Sequence, residues 1–256
     1  MSDGINETRR GGNMDTLLIH GLSGSTADME FIAGTLARAG QRVFNVALPG
    51  HGTRPEDLLS VRMQDWIDTV EKQIRACPQD VFIVGQSMGA LLALYGAAQH
   101  PDKIKGLALL SPALRLSGGF NRLFLFLLYR YSRVLPVPVL YYTKANGADI
   151  ADPTAKKSCH AYNKIPLNAL AEFEHLRRLV RGMLGRVTAP ALMVYSTNDH
   201  TIANNAVEII DSGIRSTIKK ITVLSGSFHV LSVDRDKEKV AAAILEFQRL
   251  IKTGVT

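Results

Sequence analysis

The stretch Val81-Phe82-Ile83-Val84-Gly85-Gln86-Ser87-Met88-Gly89-Ala90-Leu91-Leu92-Ala93-Leu94-Tyr95 decides the fold. Its first four residues are an apolar run that reads as a buried strand. The run from Ala90 reads as a helix, and Gly85-x-Ser87-x-Gly89 is compressed between the two. A turn this tight requires small residues two before and two after the serine. It holds the serine hydroxyl clear of the backbone at a helix N-terminus, where it meets a base and where backbone N–H groups meet a developing oxyanion. The pentapeptide alone is weak, since chance supplies it in about one chain in ten of this length. A Gly-rich turn with a capping serine is the plain alternative. The strand-before, helix-after setting favours the nucleophile elbow, and the rest depends on a histidine and a carboxylate falling where such a site needs them.

Outward from this stretch, short apolar runs alternate with helix-like runs. Strands are expected at 16–19, 42–46, 81–84, 106–110, 191–195 and 220–224, and helices at 27–39, 63–76, 88–100, 202–212 and 237–252. Gly40, Pro78 and Pro101 stand just beyond helix ends, as stops. Alternation of this kind predicts an α/β fold with a mostly parallel sheet covered by helices on both faces. Right-handed crossovers then bring every strand's C-terminal end to one edge, where ligands bind. The alternation breaks once. From Leu110-Ser111-Pro112 to about Val187 there is no clear strand. An aromatic and aliphatic stretch at 120–142 is broken by Pro136 and Pro138, followed by a polar stretch at 148–163 and a helix-like run at 167–184. The expected division is a core of 1–112 and 189–256 with a helical cap of 113–188 inserted at the sheet's C-terminal edge. The plain alternative is further helices packed on the sheet.

Bulk properties fit this organisation. The chain has 256 residues, 46% of them hydrophobic, enough for one large α/β domain with a full core. Met1 to Asp15 is polar, carries Arg9-Arg10 and has no apolar h-region, so no secretory signal is read. No apolar run reaches bilayer-spanning length. Cys77 and Cys159 form neither a metal-ligand spacing nor a disulfide framework, which makes a reducing, cytoplasmic compartment the default and predicts no metal and no cofactor. Net charge is +7, and its placement is uneven: residues 113–188 hold 12 Lys/Arg against 4 Asp/Glu. That is unlike a nucleic-acid module, and no zinc-finger, RNP or basic-zipper pattern accompanies it.

A nucleophilic serine needs a base, and the base needs an orienting carboxylate. In the α/β-hydrolase arrangement the chain order is Ser, then acid, then His, with the acid after the penultimate strand and the His after the last. Asp199 follows 191–195 and His229 follows 220–224, both on loops at the edge where Ser87 emerges. His160, His175 and His200 read as surface or capping groups. His20 reads as a loop-shaping residue bonded to backbone, and Asp234 and Asp236 as N-caps of the last helix. The oxyanion donors expected are the backbone N–H groups of Met88 and of Leu22, in the loop His20-Gly21-Leu22-Ser23-Gly24 after the first strand.

These residues resemble the small bacterial carboxylesterases and monoacylglycerol lipases of the α/β-hydrolase superfamily. The similarity runs nearly end to end: Leu18-Ile19-His20-Gly21-Leu22-Ser23-Gly24, Leu48-Pro49-Gly50-His51-Gly52, Asp65-Trp66, the Ser87 elbow, Pro112, Ala189-Pro190, Asp199, and His229-Val230-Leu231-Ser232-Val233-Asp234. The resemblance implies Ser87 as nucleophile, His229 as base, Asp199 as orienter, and the Leu22 and Met88 amides as oxyanion hole. Such proteins usually have a small residue before the histidine; Phe228 here is a departure expected to narrow the pocket or reposition the His loop. Phe124 and Phe126, from an apolar cap, are the other expected substrate contacts. The function implied is hydrolysis of short- to medium-chain acyl esters, monoacylglycerols among the candidates, through an acyl-enzyme. An acyltransferase or thioesterase with the same triad, and a non-catalytic ligand-binding module, are the alternatives. The basic cap is expected either to be a solvated face over an apolar lining or to dock on anionic lipid or on negatively charged ester substrates. Oligomeric state is left open.

Overall fold

In β3 (Asp80–Gln86) every residue from Val81 to Gln86 is buried, as in a strand covered on both faces. The same holds for all of β1 (Met14–Ile19) and nearly all of β4 (Ile104–Leu110) and β7 (Ala191–Ser196). With β2 (Arg42–Val46) and β8 (Lys219–Leu224) these form one six-stranded parallel sheet in the order β2-β1-β3-β4-β7-β8. The structure is a computed structural model describing residues 14–203 and 205–253, apart from the side chains of Phe120 and Asn121. Most of the stretch in which no secretory signal is read, residues 1–13, lies outside the described residues.

Period-two alternation splits the strands between two cores. Leu18, Phe82, Val84, Ala108, Leu192 and Val194 face α1 (Glu30–Arg38) and α8 (Lys237–Thr253). Leu17, Ile19, Ile83, Leu107, Leu109 and Met193 face α2 (Met63–Ala76), α3 (Met88–Gln99) and α7 (Ala206–Gly213). In α2 the buried residues Trp66, Ile67, Val70 and Ile74 form the single stripe that its sequence spacing predicts. Each such side chain, fully buried, contributes about 1.5–3 kcal/mol of transfer free energy.

Between β4 and β7 lie α4 (Gly119–Ser132), β5 (Tyr141–Thr143), α5 (Pro153–Ser158), β6 (Lys164–Pro166) and α6 (Leu167–Met183). β5 and β6 pair antiparallel, Tyr141 opposite Pro166. This corrects the expectation of no strand in this segment: three residues per strand are too few for alternation to register. α6 rests on α3 and α4. It buries Glu174, which pairs with Arg177 and with Arg178 at 2.8 Å, while the Arg177 guanidinium donates to the Leu114 carbonyl at 3.0 Å.

The strand order places the site. After β1 the chain goes to β2 on one side, and β3 pairs with β1 on the other, so the loops after β1 and β3 meet at the switch point. Register brings Ile19 opposite Gly85 and Gln86 opposite Leu110. The loop His20-Gly21-Leu22 therefore lies beside Ser87.

Candidate active site

Ser87 is held at φ 57°, ψ −110°, a conformation that L-residues rarely adopt, and its N–H donates to the Leu110 carbonyl at 2.8 Å. The elbow closes only because its flanks are bare: a Cβ on Gly89 would stand 2.1 Å from the Ile19 carbonyl oxygen, and one on Gly85 2.3 Å from the Gly89 carbonyl oxygen. β1, β3 and α3 thus converge at van der Waals limits around the serine.

Ser87 Oγ lies 2.9 Å from His229 Nε2, and His229 Nδ1 lies 2.8 Å from Asp199 Oδ2. The other Asp199 oxygen accepts the N–H groups of Thr201 at 2.8 Å and Ile202 at 2.9 Å. These two bonds also explain why α7 begins at Ala206 rather than at 202: Ile202 is drawn into the carboxylate loop and bridges to Leu116. Burial pushes the Asp199 carboxyl up, but His229 and the two amides outweigh it and hold the group ionised, below its ordinary range. The Gln86 amide donates to the His229 carbonyl at 3.0 Å, tying the histidine loop to β3.

Met88, first residue of α3, carries one of the N–H groups that a helix leaves without an internal acceptor. Leu22 lies in the turn closed by Gly24 N–H to Gly21 carbonyl at 3.1 Å, and a Cβ on Gly21 would be 3.1 Å from Ser87 Cβ. Leu22 lines the cavity that holds Ser87, and Met88 follows the serine directly. His20 takes the loop-shaping place expected of it: Leu48 N–H donates to Nε2 at 3.3 Å, so Nδ1 carries the proton given to the Gly21 carbonyl at 2.9 Å. Burial first, and then the nearby His51, push His20 down to about 3; burial pushes His51 down to about 4.

A cavity of about 630 Å³ opens over Ser87 and His229. Phe124 and Phe228 line it, the latter edge-on to His200 at 4.6 Å between ring centroids. Phe126 does not, which corrects that expectation: it is 42% exposed with the Arg178 guanidinium over its ring at 5.3 Å. Two residues along a helix is a turn of about 200°, so Phe124 and Phe126 cannot share a face of α4. Among the described residues, no group of three His, Cys, Asp or Glu is placed to hold a metal ion. No helix of the described residues is long and apolar enough to cross a membrane.

The family described as serine aminopeptidase, S33 (Hydrolase_4) matches residues 15–236. The chain belongs to that family. This α/β-hydrolase is 32% identical over 246 residues to the thermostable monoacylglycerol lipase of Bacillus sp. strain H-257, covering 92% of this chain and 90% of the relative. It is 24% identical over 244 residues to the carboxylesterase of Bacillus subtilis strain 168, covering 94% of each. A solved structure from work on the metagenome-derived lipolytic enzymes LipS and LipT superposes with a TM-score of 0.84 at 30% identity, covering 96% of each chain.

Sequence assigned no role to Asp149 and misread those of Asp234 and Asp236. The Asp149 backbone carbonyl accepts the N–H groups of His229 at 3.0 Å and Val230 at 3.2 Å. Its side chain takes the His200 N–H at 3.0 Å and the Thr201 hydroxyl at 3.1 Å. Asp234 is not a helix cap: its buried carboxylate accepts the N–H groups of Ala151, Asp152, Phe228 and Arg235, all within 2.9 Å. Nor does the Asp236 side chain cap α8; it takes Gly226 N–H, Ser227 Oγ and Lys239 Nζ. No local pattern marks a carboxylate whose partners are amides 83 residues away.

Proposed function

We propose that this chain is a serine carboxylic-ester hydrolase. Its substrates are short- to medium-chain acyl esters, monoacylglycerols among them. Ser87 is the nucleophile, His229 the general base and Asp199 its orienter. The observation that carries the reading is the continuous chain of hydrogen bonds from Ser87 Oγ through His229 to Asp199, opening on a largely apolar cavity. Ser87 Oγ attacks the ester carbonyl as His229 Nε2 takes its proton, and the Leu22 and Met88 amides receive the oxyanion. The alcohol leaves with the proton from His229. Water, deprotonated by His229, then attacks the acyl-enzyme and releases the acid. Residues 113–188 act as the cap, supplying Leu116, Phe124, Leu125, Ile165, Leu170 and Phe173 to the cavity wall.

Ester rather than aminopeptide substrates are favoured by the charges in the cavity. A peptide α-ammonium would need a free carboxylate. Asp149 is committed to His200 and Thr201, and Asp28 to the Ser25 N–H at 3.1 Å, while Lys144 and Lys156 line the same wall. Fluorophosphonate labelling of wild type and Ser87→Ala, with a chain-length series of nitrophenyl and glycerol esters, tests the reading. Labelling at Ser87 and hydrolysis of the esters are expected. An unlabelled Ser87 would point to a binding module, and dominant transfer to added alcohols or coenzyme A to a transferase.

The partner proposed for the outer face of the cap is an anionic lipid surface. Leu123, Leu127, Val134, Leu135, Val139 and Leu140 are each more than half exposed, beside Arg122, Arg130 and Arg133. Apolar insertion and basic attraction act together at such a surface. Co-sedimentation confined to anionic vesicles, weakened by salt and by charge reversal at the three arginines, is expected. Equal binding to neutral vesicles, or none, would leave the face solvated.

A further inference from the structure

Lys144, in the wall of the cavity, makes no salt bridge among the described residues. It follows β5, its backbone N–H bonded to the Asn163 carbonyl at 2.8 Å, and its Nζ donates to Ser23 Oγ at 2.6 Å. Ser23 is itself fixed, at φ 66° and with its carbonyl accepting the Tyr162 N–H at 2.9 Å. An ammonium has three donors, and this one has a single neutral partner. Among the described residues no carboxylate oxygen lies within 4.0 Å of it. Cys159, Asp28 and Asp149 act on it only from further away, and all are engaged: the Cys159 thiol, its pKa pushed up by burial, with Asp28, Asp28 also with the Ser25 N–H, and Asp149 with His200 and Thr201. Burial accordingly pushes the Lys144 pKa down. A desolvated, unpaired charge is costly to keep. In a cavity that admits substrate, a group on the substrate is what pairs it.

We infer that the wall formed by Ser23, Lys144 and Lys156 receives an anionic group of the ester substrate, a carboxylate or a phosphate. Ser23 adjoins Leu22, whose amide is assigned to the oxyanion, so the anionic group lies near the ester and not at the far end of a long acyl chain. The apolar wall takes the chain. The assignment rests on the ester-hydrolase reading, and its test separates the two.

The experiment measures kcat/KM for wild type, Lys144→Met and Lys144→Arg on two matched pairs. One pair is methyl pentanoate and monomethyl glutarate; the other is 1-butyrylglycerol and 1-butyrylglycerol 3-phosphate. Wild type is expected to turn over the anionic member of at least one pair at least as well as the neutral member. Lys144→Met is expected to lower that preference about tenfold to a hundredfold, the range for a hydrogen bond to a charged group, and Lys144→Arg to keep most of it. The pair that responds distinguishes carboxylate from phosphate. A tenfold wild-type preference for the neutral member of both pairs would overturn the inference. So would an equal loss on every ester in Lys144→Met, as from a lysine that only positions Ser23. Turnover of the neutral esters by wild type tests the hydrolase reading separately. If Lys144→Met fails to fold, protection of wild-type Ser87 from fluorophosphonate decides. Glutarate or glycerol 3-phosphate is expected to protect at concentrations where glycerol does not, and salt to relieve it; no protection by either anion overturns the assignment.

Discussion

His20 and His51, which transfer no proton in the proposed chemistry, make folding stability depend on pH, and His175, also pushed down by burial, adds in the same direction. Folding holds His20 and His51 neutral, with pKa values of about 3 and about 4, whereas an exposed histidine titrates near about 6.5. Between those limits the unfolded chain binds more protons than the folded one, so stability is complete at pH 7 and falls as pH drops below about 6.5. At pH 5 the unfolded state is favoured by about 1.5 pH units per histidine. At about 1.36 kcal/mol per unit this is about 2 kcal/mol each and about 4 kcal/mol for the pair. That is a large share of the roughly 5–15 kcal/mol that holds a typical domain folded. The carboxylates do not obscure the window. Asp199 and Asp236 have lowered pKa values, so their contributions are lost only as pH falls below the ordinary carboxylate range, and Asp28, raised by burial, works in the opposite direction. Urea unfolding at pH 7, 6 and 5 of wild type, His20→Asn and His51→Asn measures this. Each variant is destabilised at pH 7, but its fall between pH 7 and 5 is expected to be smaller than wild type's by about 2 kcal/mol. Parallel curves for all three proteins across that range would refute the argument.

Ser87→Ala is expected to remove at least about 10⁴-fold in kcat with an unchanged urea midpoint; near-normal turnover by the folded variant would end the mechanism. Asp199→Asn, which frees the wrong His229 tautomer, is expected to lower kcat by about 10³–10⁴. Asp234→Asn acts instead on stability, by about 2–4 kcal/mol, because its charge holds four amides together; reversed kinetic effects of the two would show the acid misassigned. Phe228→Gly removes a ring from the cavity wall and from His200, and is expected to widen tolerance for bulky esters. Identical substrate profiles would contradict it.

The sheet and the meeting of Ser87, His229 and Asp199 were legible because each leaves a local mark. Buried parallel strands are apolar runs, the elbow needs glycines at 85 and 89, and strand-end loops bound the search for acid and base to a few residues. Loop-to-loop bonding leaves no such mark. Asp234 precedes a helix and looks like a cap from its neighbours, yet its partners are Ala151, Asp152 and Phe228, chosen by the fold. The β5–β6 ribbon was invisible for want of length. Phe124 and Phe126 looked alike in an aromatic run until the phase of α4 against the cavity separated them. Lys144 was one of many basic residues in its segment; its partial burial and its lack of a salt bridge among the described residues are properties of packing.

The bonds made by Asp149 and Asp234 bear on how new specificities are built on this scaffold. Residues 149–152 lie by chain position between β4 and β7, but by hydrogen bonding they belong to the two loops that carry Asp199 and His229. A chimera that exchanged everything between β4 and β7 with a relative's would replace the splint of the loops carrying Asp199 and His229 along with much of the cavity wall. Grafts that keep 149–152 and swap only what precedes or follows them divide the two inheritances cleanly, so that a change of preferred ester need not be accompanied by a slower reaction.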